Sequence, residues 1–319
     1  MMFAYACRGL HLICQPPDAD PSTALWIDLY QPDEAQIHAL RALGIEVPTL
    51  ADMEEIEVSS RLYRENGLDY MTVVLPGLSQ TMAPISGPVC FILSKDRLVT
   101  VRHHAPRPFE TYPARADKVG PGCTSPRALM LSLMEEIVGR LADLLEGVGA
   151  ALDAGMAQVF ATGDHAEHDT LQGALREVAR QSDLLGRVRL SLLTLERAMS
   201  AYALWTSEDK ADGGLRAALK GVTRDLSALE VHADYLNTRL AMATDVTLGM
   251  VNLAQNRTVK IVSVVAVIFL PPTVIASAYG MNFKNMPELD WHYGYPMAIG
   301  LMIASTVITY GVFRWRKLL

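Results

Sequence analysis

Two runs near the C-terminal end carry no charge: Ile261 to Gly280 and Gly294 to Phe313. Each is about 20 residues, enough at 1.5 Å per residue to cross a hydrocarbon core of ~30 Å. Residues 259–280 and 294–313 are therefore expected to be two transmembrane helices. The loop 281–293 between them contains Lys284, Glu288, Asp290 and His292. Ahead of the first span no proline occurs from Leu215 to Pro271. Leu215, Leu219, Val222, Leu226, Leu229, Ala233, Leu236 and Leu240 alternate spacings of four and three, a heptad seam. A stalk helix over 211–258 that runs on into the first span follows, ~95 Å from Leu215 to Ser277. The seam is expected to face a second copy of the chain.

The first span is not uniformly apolar. Asn256, Val259, Ser263, Ala266, Leu270, Thr273 and Ser277 share one helical face. Asp245, Gly249 and Asn252 extend that stripe backwards and put a carboxylate at its start. Small and polar residues on a membrane helix turn toward protein or water, not lipid. Several copies facing a common axis would line a pore. Val262 lies one residue off the stripe, and with Val259 it could form a dry, narrow ring that dewets. Two spans per chain cannot enclose a channel, so conduction requires an oligomer. Pro271 and Pro272 remove backbone donors inside the span and are expected to bend or open it locally.

The remaining chain alternates differently. Over 1–120 short apolar runs at Phe3–Cys7, Leu10–Cys14, Trp26–Leu29, Leu68–Leu75, Pro88–Leu93 and Leu98–Arg102 read as strands of an α/β domain. Pro32-Asp33-Glu34 opens a helix that Gly44 stops, and Thr49 to about Ser59 reads as a second helix. The adjacent pair His103-His104 reads as a solvated strand end. Ser125-Pro126 starts a long helix to about Thr162, and Glu167 to Leu204 forms the second arm of an αα-hairpin spanning 121–210. Its tip, Asp164 to Asp169, is rich in possible metal ligands, a composition that also suits a solvated loop.

Lys and Arg flank the spans asymmetrically. Arg257 and Lys260 precede the first; Arg314, Arg316 and Lys317 follow the second; the loop has only Lys284. Both termini, including the basic tail 314–319, are thus expected in the cytoplasm. The net charge of −7 disfavours nucleic acid as a partner and suits cations. No phosphate loop, nucleophile elbow or metalloprotease motif appears, so neither an enzyme nor a cofactor is indicated. The four cysteines show no CxxC or Cys/His spacing and read as reduced thiols.

Tyr279-Gly280-Met281-Asn282, then Met286-Pro287-Glu288-Leu289, then Gly294-Tyr295-Pro296 resembles the CorA family of magnesium and cobalt transport proteins. Gln255-Asn256-Arg257 and Phe269-Leu270-Pro271-Pro272-Thr273 are similar to the same family, as is Trp26-Ile27-Asp28-Leu29 more weakly. The resemblance implies an α+β cytoplasmic domain followed by a very long stalk helix and two C-terminal transmembrane helices. It also implies a funnel-shaped homo-oligomer, a pentamer, in the inner membrane. It makes Gly280, Met281 and Asn282 the selectivity filter, with Glu288 and Asp290 as an external acidic rim. Mg²⁺ would be both transported and regulatory ion, Co²⁺ and Ni²⁺ possible further cargo, and Asp225 a regulatory metal residue if not merely a solvated stalk position. A zinc transporter of the same superfamily and a non-conducting membrane-anchored sensor or scaffold are the competing readings.

Overall fold

A computed structural model describes residues 1–16, 19–161, 168–207, 213–281, 286–287 and 291–316. In chain order the elements are β1 (Met2–Arg8), β2 (His11–Cys14), β3 (Trp26–Tyr30), α1 (Glu34–Arg41), α2 (Leu50–Glu54), α3 (Val58–Arg61), β4 (Leu62–Glu65), β5 (Leu68–Leu78), β6 (Pro84–Leu93), β7 (Leu98–Arg102), α4 (Pro108–Thr111), α5 (Pro126–Ala161), α6 (His168–Trp205), α7 (Gly213–Tyr279) and α8 (Gly294–Trp315). The chain divides into two compact units: Met1–Gln158 with Ala174–Thr244, and Val159–Gly173 with Asp245–Leu319.

The first unit is built on a seven-stranded sheet in the order β2-β1-β3-β7-β6-β5-β4. Every neighbouring pair is antiparallel except β3 and β7. Period-two alternation sends Trp26, Val73, Phe91 and Leu98 into one apolar core and Ile27, Leu29, Ile92 and Val99 into another. Leu40 of α1 and Met53 of α2 close the second core. The first is shared with α5, α6 and the first half of α7.

Asp33 caps α1, accepting from the Gln36 amide at 2.8 Å, and Gly44 then turns the chain at φ +77°. The single helix expected from Thr49 to Ser59 is instead two short ones. Thr49 and Asp52 form a capping box, but the backbone leaves the helix at Glu55. Glu54, Glu55 and Glu57 would crowd the negative end of any longer helix. β4, which the sequence reading missed, follows at once and pairs with β5.

The heptad seam is spent inside the chain. Val222, Leu226, Ala233, Leu236 and Leu240 are buried in the first core, and Leu215, Leu219 and Leu229 pack against it. Ion pairs flank the seam on both sides: Arg239 with Asp153 of α5, and Arg189 of α6 with Asp234 at 2.8 Å. The expectation that these leucines face a second copy therefore does not hold. A heptad pattern specifies an apolar stripe on a helix, and two long helices of the same chain cover it first.

His104 corrects a second expectation. It is buried, with Nε2 donating to the Leu75 carbonyl at 2.9 Å and Nδ1 without a partner. A Cβ on Gly77 or Gly87 would lie 2.7 or 2.8 Å from its ring, so the two glycines make its space. Burial, together with the nearby Arg102 charge, holds the imidazole pKa below the usual histidine range despite the Leu75 bond. The unfolded chain thus takes up a proton that the folded chain refuses. The stability this contributes is complete above the unfolded value of 6.5 and declines as the pH falls below it. The melting temperature is expected to drop between pH 7 and 5, with a shallower slope in His104→Gln. Equal slopes would mean that His104 titrates alike in both states.

Candidate functional site

α7 is a single helix of 67 residues that continues through Pro271 and Pro272. The prolines do not end it; they leave the carbonyls of Val267 and Ile268 without helix donors. Among the described residues two helices, α7 and α8, are long and apolar enough to cross a membrane.

The second unit covers one face of α7. Val264 is 8% exposed, while Ile268, Pro271, Ile275 and Tyr279 are half-covered. On α8 the buried positions are the small residues Gly294 and Ala298, as expected where membrane helices approach closely. The polar stripe points elsewhere. Asp245, Gly249, Asn252, Asn256, Val259, Ser263, Ala266, Leu270, Thr273 and Ser277 are all exposed. At ~100° per residue the stripe is centred roughly 130° from the covered face. Val262, flanking the stripe, is also exposed. The protomer thus leaves its most polar membrane face bare.

Two of the three hydroxyls on this face have a defined polarity. Ser263 Oγ donates to the Val259 carbonyl and Thr273 Oγ1 to the Phe269 carbonyl, each at 2.7 Å. Their protons are used within the helix, and the oxygen lone pairs remain free to accept. The stripe therefore offers acceptors: the hydroxyl oxygens of Ser263, Thr273 and Ser277, the Asn252 and Asn256 carbonyl oxygens, and the Asp245 carboxylate.

At the end of α7, the Gly280 amide donates to the Ala276 carbonyl at 2.9 Å. A Cβ at Gly280 would lie 3.2 Å from that oxygen and 3.6 Å from the Ser277 carbonyl. A side chain here would therefore be tight against the last turn of the helix. Met281 is half-exposed. Asn282, Glu288 and Asp290 lie outside the described residues, as do Asp164 to Glu167 of the hairpin tip. Val159 and Leu171, which flank that tip, are buried within the second unit.

Asp225 stands on the exposed side of α7, 3.4 Å from the guanidinium of Arg224. Among the described residues no three His, Cys, Asp or Glu side chains gather within one chain to hold a metal.

The features above are those of a membrane protein with two spanning-length helices, the first of which exposes a polar, acceptor-rich face. The family model for "CorA-like Mg2+ transporter protein" matches residues 21–315, and the chain belongs to that family. It is 33% identical over 297 residues to the magnesium transport protein CorA of Yersinia pseudotuberculosis, covering 92% of each chain. It is 32% identical over 317 residues to that of Haemophilus influenzae, covering 98% of each. Among solved structures, the complete CorA magnesium transporter from Methanocaldococcus jannaschii superposes with a TM-score of 0.71 at 17% identity, over 98% of this chain and 97% of that one. The full-length CmaX protein superposes with a TM-score of 0.60 at 15% identity, over 99% and 96%. Proteins of two names share this fold, so the fold alone does not name the ion; family membership carries that weight.

Proposed function

We propose that the chain is the subunit of a homo-oligomeric, inner-membrane Mg²⁺ channel driven by the membrane potential, with Co²⁺ and Ni²⁺ as further cargo. The observation that carries the reading is the bare acceptor stripe of α7 in a chain of the CorA-like family. In a ring of five subunits, the number the resemblance implies, these stripes would converge on the axis. Mg²⁺ sheds its waters reluctantly, so a path for it needs oxygens that accept hydrogen bonds from bound water. The Asp245 carboxylate, Asn252, Asn256, Ser263, Thr273 and Ser277 supply them. Val259 and Val262 form the hydrophobic constriction that gates by dewetting. Leu270 narrows the path again further along.

Gly280, Met281 and Asn282 form the outer filter. Gly280 sets the exit of the chain from α7, Met281 packs the turn, and the Asn282 carbonyl receives the hydrated ion. Glu288 and Asp290 raise the local cation concentration at the entrance, partly offset by Lys284. The positive charges of Arg257, Lys260, Arg314, Arg316 and Lys317 favour an orientation with both termini in the cytoplasm. A divalent ion then gains roughly 4.6 kcal/mol per 100 mV of inward potential, so no ATP-hydrolysing part is needed.

The test is ion flux into liposomes holding the purified full-length protein, with an imposed inside-negative potential. Mg²⁺ influx that rises with the potential is expected. Zn²⁺ influx without Mg²⁺ influx would favour the zinc transporter, and no flux of any divalent ion a scaffold.

Internal Mg²⁺ is proposed to close the channel by bridging carboxylates between subunits, with Asp225 one of them. Its exposure leaves it available to a neighbouring subunit, and among the described residues no ligand set of its own chain surrounds it. α7 carries both Asp225 and the valine constriction without a linker, so a change at one end has a direct route to the other. Asp225→Lys is expected to reduce inhibition by roughly 10 mM Mg²⁺ loaded inside the liposomes, a concentration that saturates weak sites. Inhibition equal to that of the parent would leave Asp225 as a solvated stalk position.

A further inference from the structure

Two of the four cysteines meet. Cys7 on β1 and Cys123, in the segment leading into α5, are 116 positions apart in the chain, yet their sulfurs lie 3.1 Å from each other. Cys123 is fully buried, whereas Cys7 is half-buried and its Sγ also reaches the Gly9 carbonyl at 3.2 Å. The remaining pair does not share this arrangement: Cys90 is buried in the other core, against α1 and α2, and Cys14 is exposed. The elements around the meeting point are well held. Cys7 is in register with Leu12 of β2, and Ser132 Oγ of α5 donates to the Gly122 carbonyl beside Cys123 at 2.9 Å.

A disulfide has its sulfurs about 2.05 Å apart, so closure asks for roughly 1 Å of approach. Nothing has to be unfolded to bring the partners together. We propose that Cys7 and Cys123 are a peroxide-responsive thiol pair whose oxidation staples the β1–β2 hairpin to the segment entering α5.

The chemistry balances with hydrogen peroxide as the oxidant. The Cys7 thiolate attacks one peroxide oxygen, the O–O bond breaks, and the departing hydroxide leaves as water with the Cys7 proton. Cys7 is now a sulfenic acid. The Cys123 sulfur attacks the Cys7 sulfur, the S–O bond breaks, and the hydroxide leaves with the Cys123 proton as a second water. In sum, two thiols and one peroxide give one disulfide and two waters, the sulfurs losing two electrons. The order follows from burial. Cys7 is the partner that peroxide can reach. Burial, reinforced by Cys7 itself, pushes the Cys123 thiol up to about 12, which keeps it a poor first nucleophile. Under a reducing poise the pair stays open, so the staple would form during oxidative stress and be removed by thiol exchange.

The pairing closes a loop of more than a hundred residues, for which the loss of unfolded-state entropy is large. Oxidation should therefore raise the melting temperature of the first unit by roughly 5 °C or more. The test uses the full-length protein in detergent, reduced and then exposed to a few equivalents of hydrogen peroxide. Peptide mapping without reductant is expected to show a Cys7 peptide joined to a Cys123 peptide, two hydrogens lighter than their sum and separated by dithiothreitol. Thiol titration in denaturant should fall by two. In Cys123→Ser, Cys7 should instead be trapped by dimedone as the sulfenic acid. Four titratable thiols after peroxide would overturn the proposal, as would Cys7 joined to Cys14 or overoxidised to sulfinic acid in the parent. Mapping of the parent alone decides the matter if Cys123→Ser fails to fold.

Discussion

Gly280→Ala and Asn282→Ala are each expected to reduce Mg²⁺ uptake more than tenfold while the subunits still assemble. The two act differently. At Gly280 an added methyl would lie 3.2 Å from the carbonyl of Ala276, the acceptor of the Gly280 amide. The Ala276 carbonyl must give by a few tenths of an ångström to admit it, in the turn two residues before Asn282. Asn282→Ala keeps the backbone and removes the carbonyl oxygen proposed to meet the ion's waters. Losing one good acceptor per subunit in a ring of several is ample for a tenfold effect, since that needs only about 1.4 kcal/mol in all. Uptake into liposomes measures the first quantity and size-exclusion chromatography the second. Parental flux in Asn282→Ala would remove this residue from the filter.

The second large effect is expected in the first unit. Asp28 and Arg102 are both buried, and their charges meet across β3 and β7. Arg102 Nη2 reaches Asp28 Oδ2 at 2.9 Å, and Nε lies 3.1 Å from both carboxylate oxygens. Thr100 Oγ1 donates to Asp28 Oδ1 at 2.8 Å and accepts from Trp26 Nε1 at 3.0 Å. The guanidinium is further held over the rings of Tyr30 and Phe109, 4.7 and 5.2 Å from their centroids. Asp28→Ala leaves this cation desolvated with no counter-charge, at a cost of ~3–5 kcal/mol. Replacing both partners, Asp28→Leu with Arg102→Met, should cost clearly less, because no buried charge is then left alone. Urea unfolding of the detergent-solubilised protein compares the two. A loss below about 1 kcal/mol in Asp28→Ala would show that water reaches the pair.

Asp28 also shows where sequence reasoning stops. Trp26-Ile27-Asp28-Leu29 is legible as a strand, and the alternation of its apolar residues is what the sheet uses. That Asp28 is buried, and that Arg102 neutralises it 74 positions later, depends on β3 lying parallel to β7. Strand order is not written in either strand. His104 is similar. Its burial depends on two glycines from other strands, and Gly77 and Gly87 inside apolar runs were the available signal, since glycine in a strand often marks the close approach of another group. The extra break after α2 was legible too, in the acids at its C-terminal end.

The membrane half needed least help. Charge-free runs of spanning length, a helix without proline over its stalk, and a polar stripe at helical spacing are local properties, set by backbone geometry and by the cost of polar groups in lipid. The sequence by itself determined the two apolar runs of spanning length, the stripe, every strand but β4, and the family. Only the tertiary structure decided which faces were already taken. It put the heptad leucines into the core of their own protomer, turned the α7 stripe away from the covered face, and brought Cys7 to Cys123. The physical reason is that periodicity specifies which residues share a face but not what covers it. That choice is made by packing between segments far apart in the chain, where burial, not local propensity, sets the free energy.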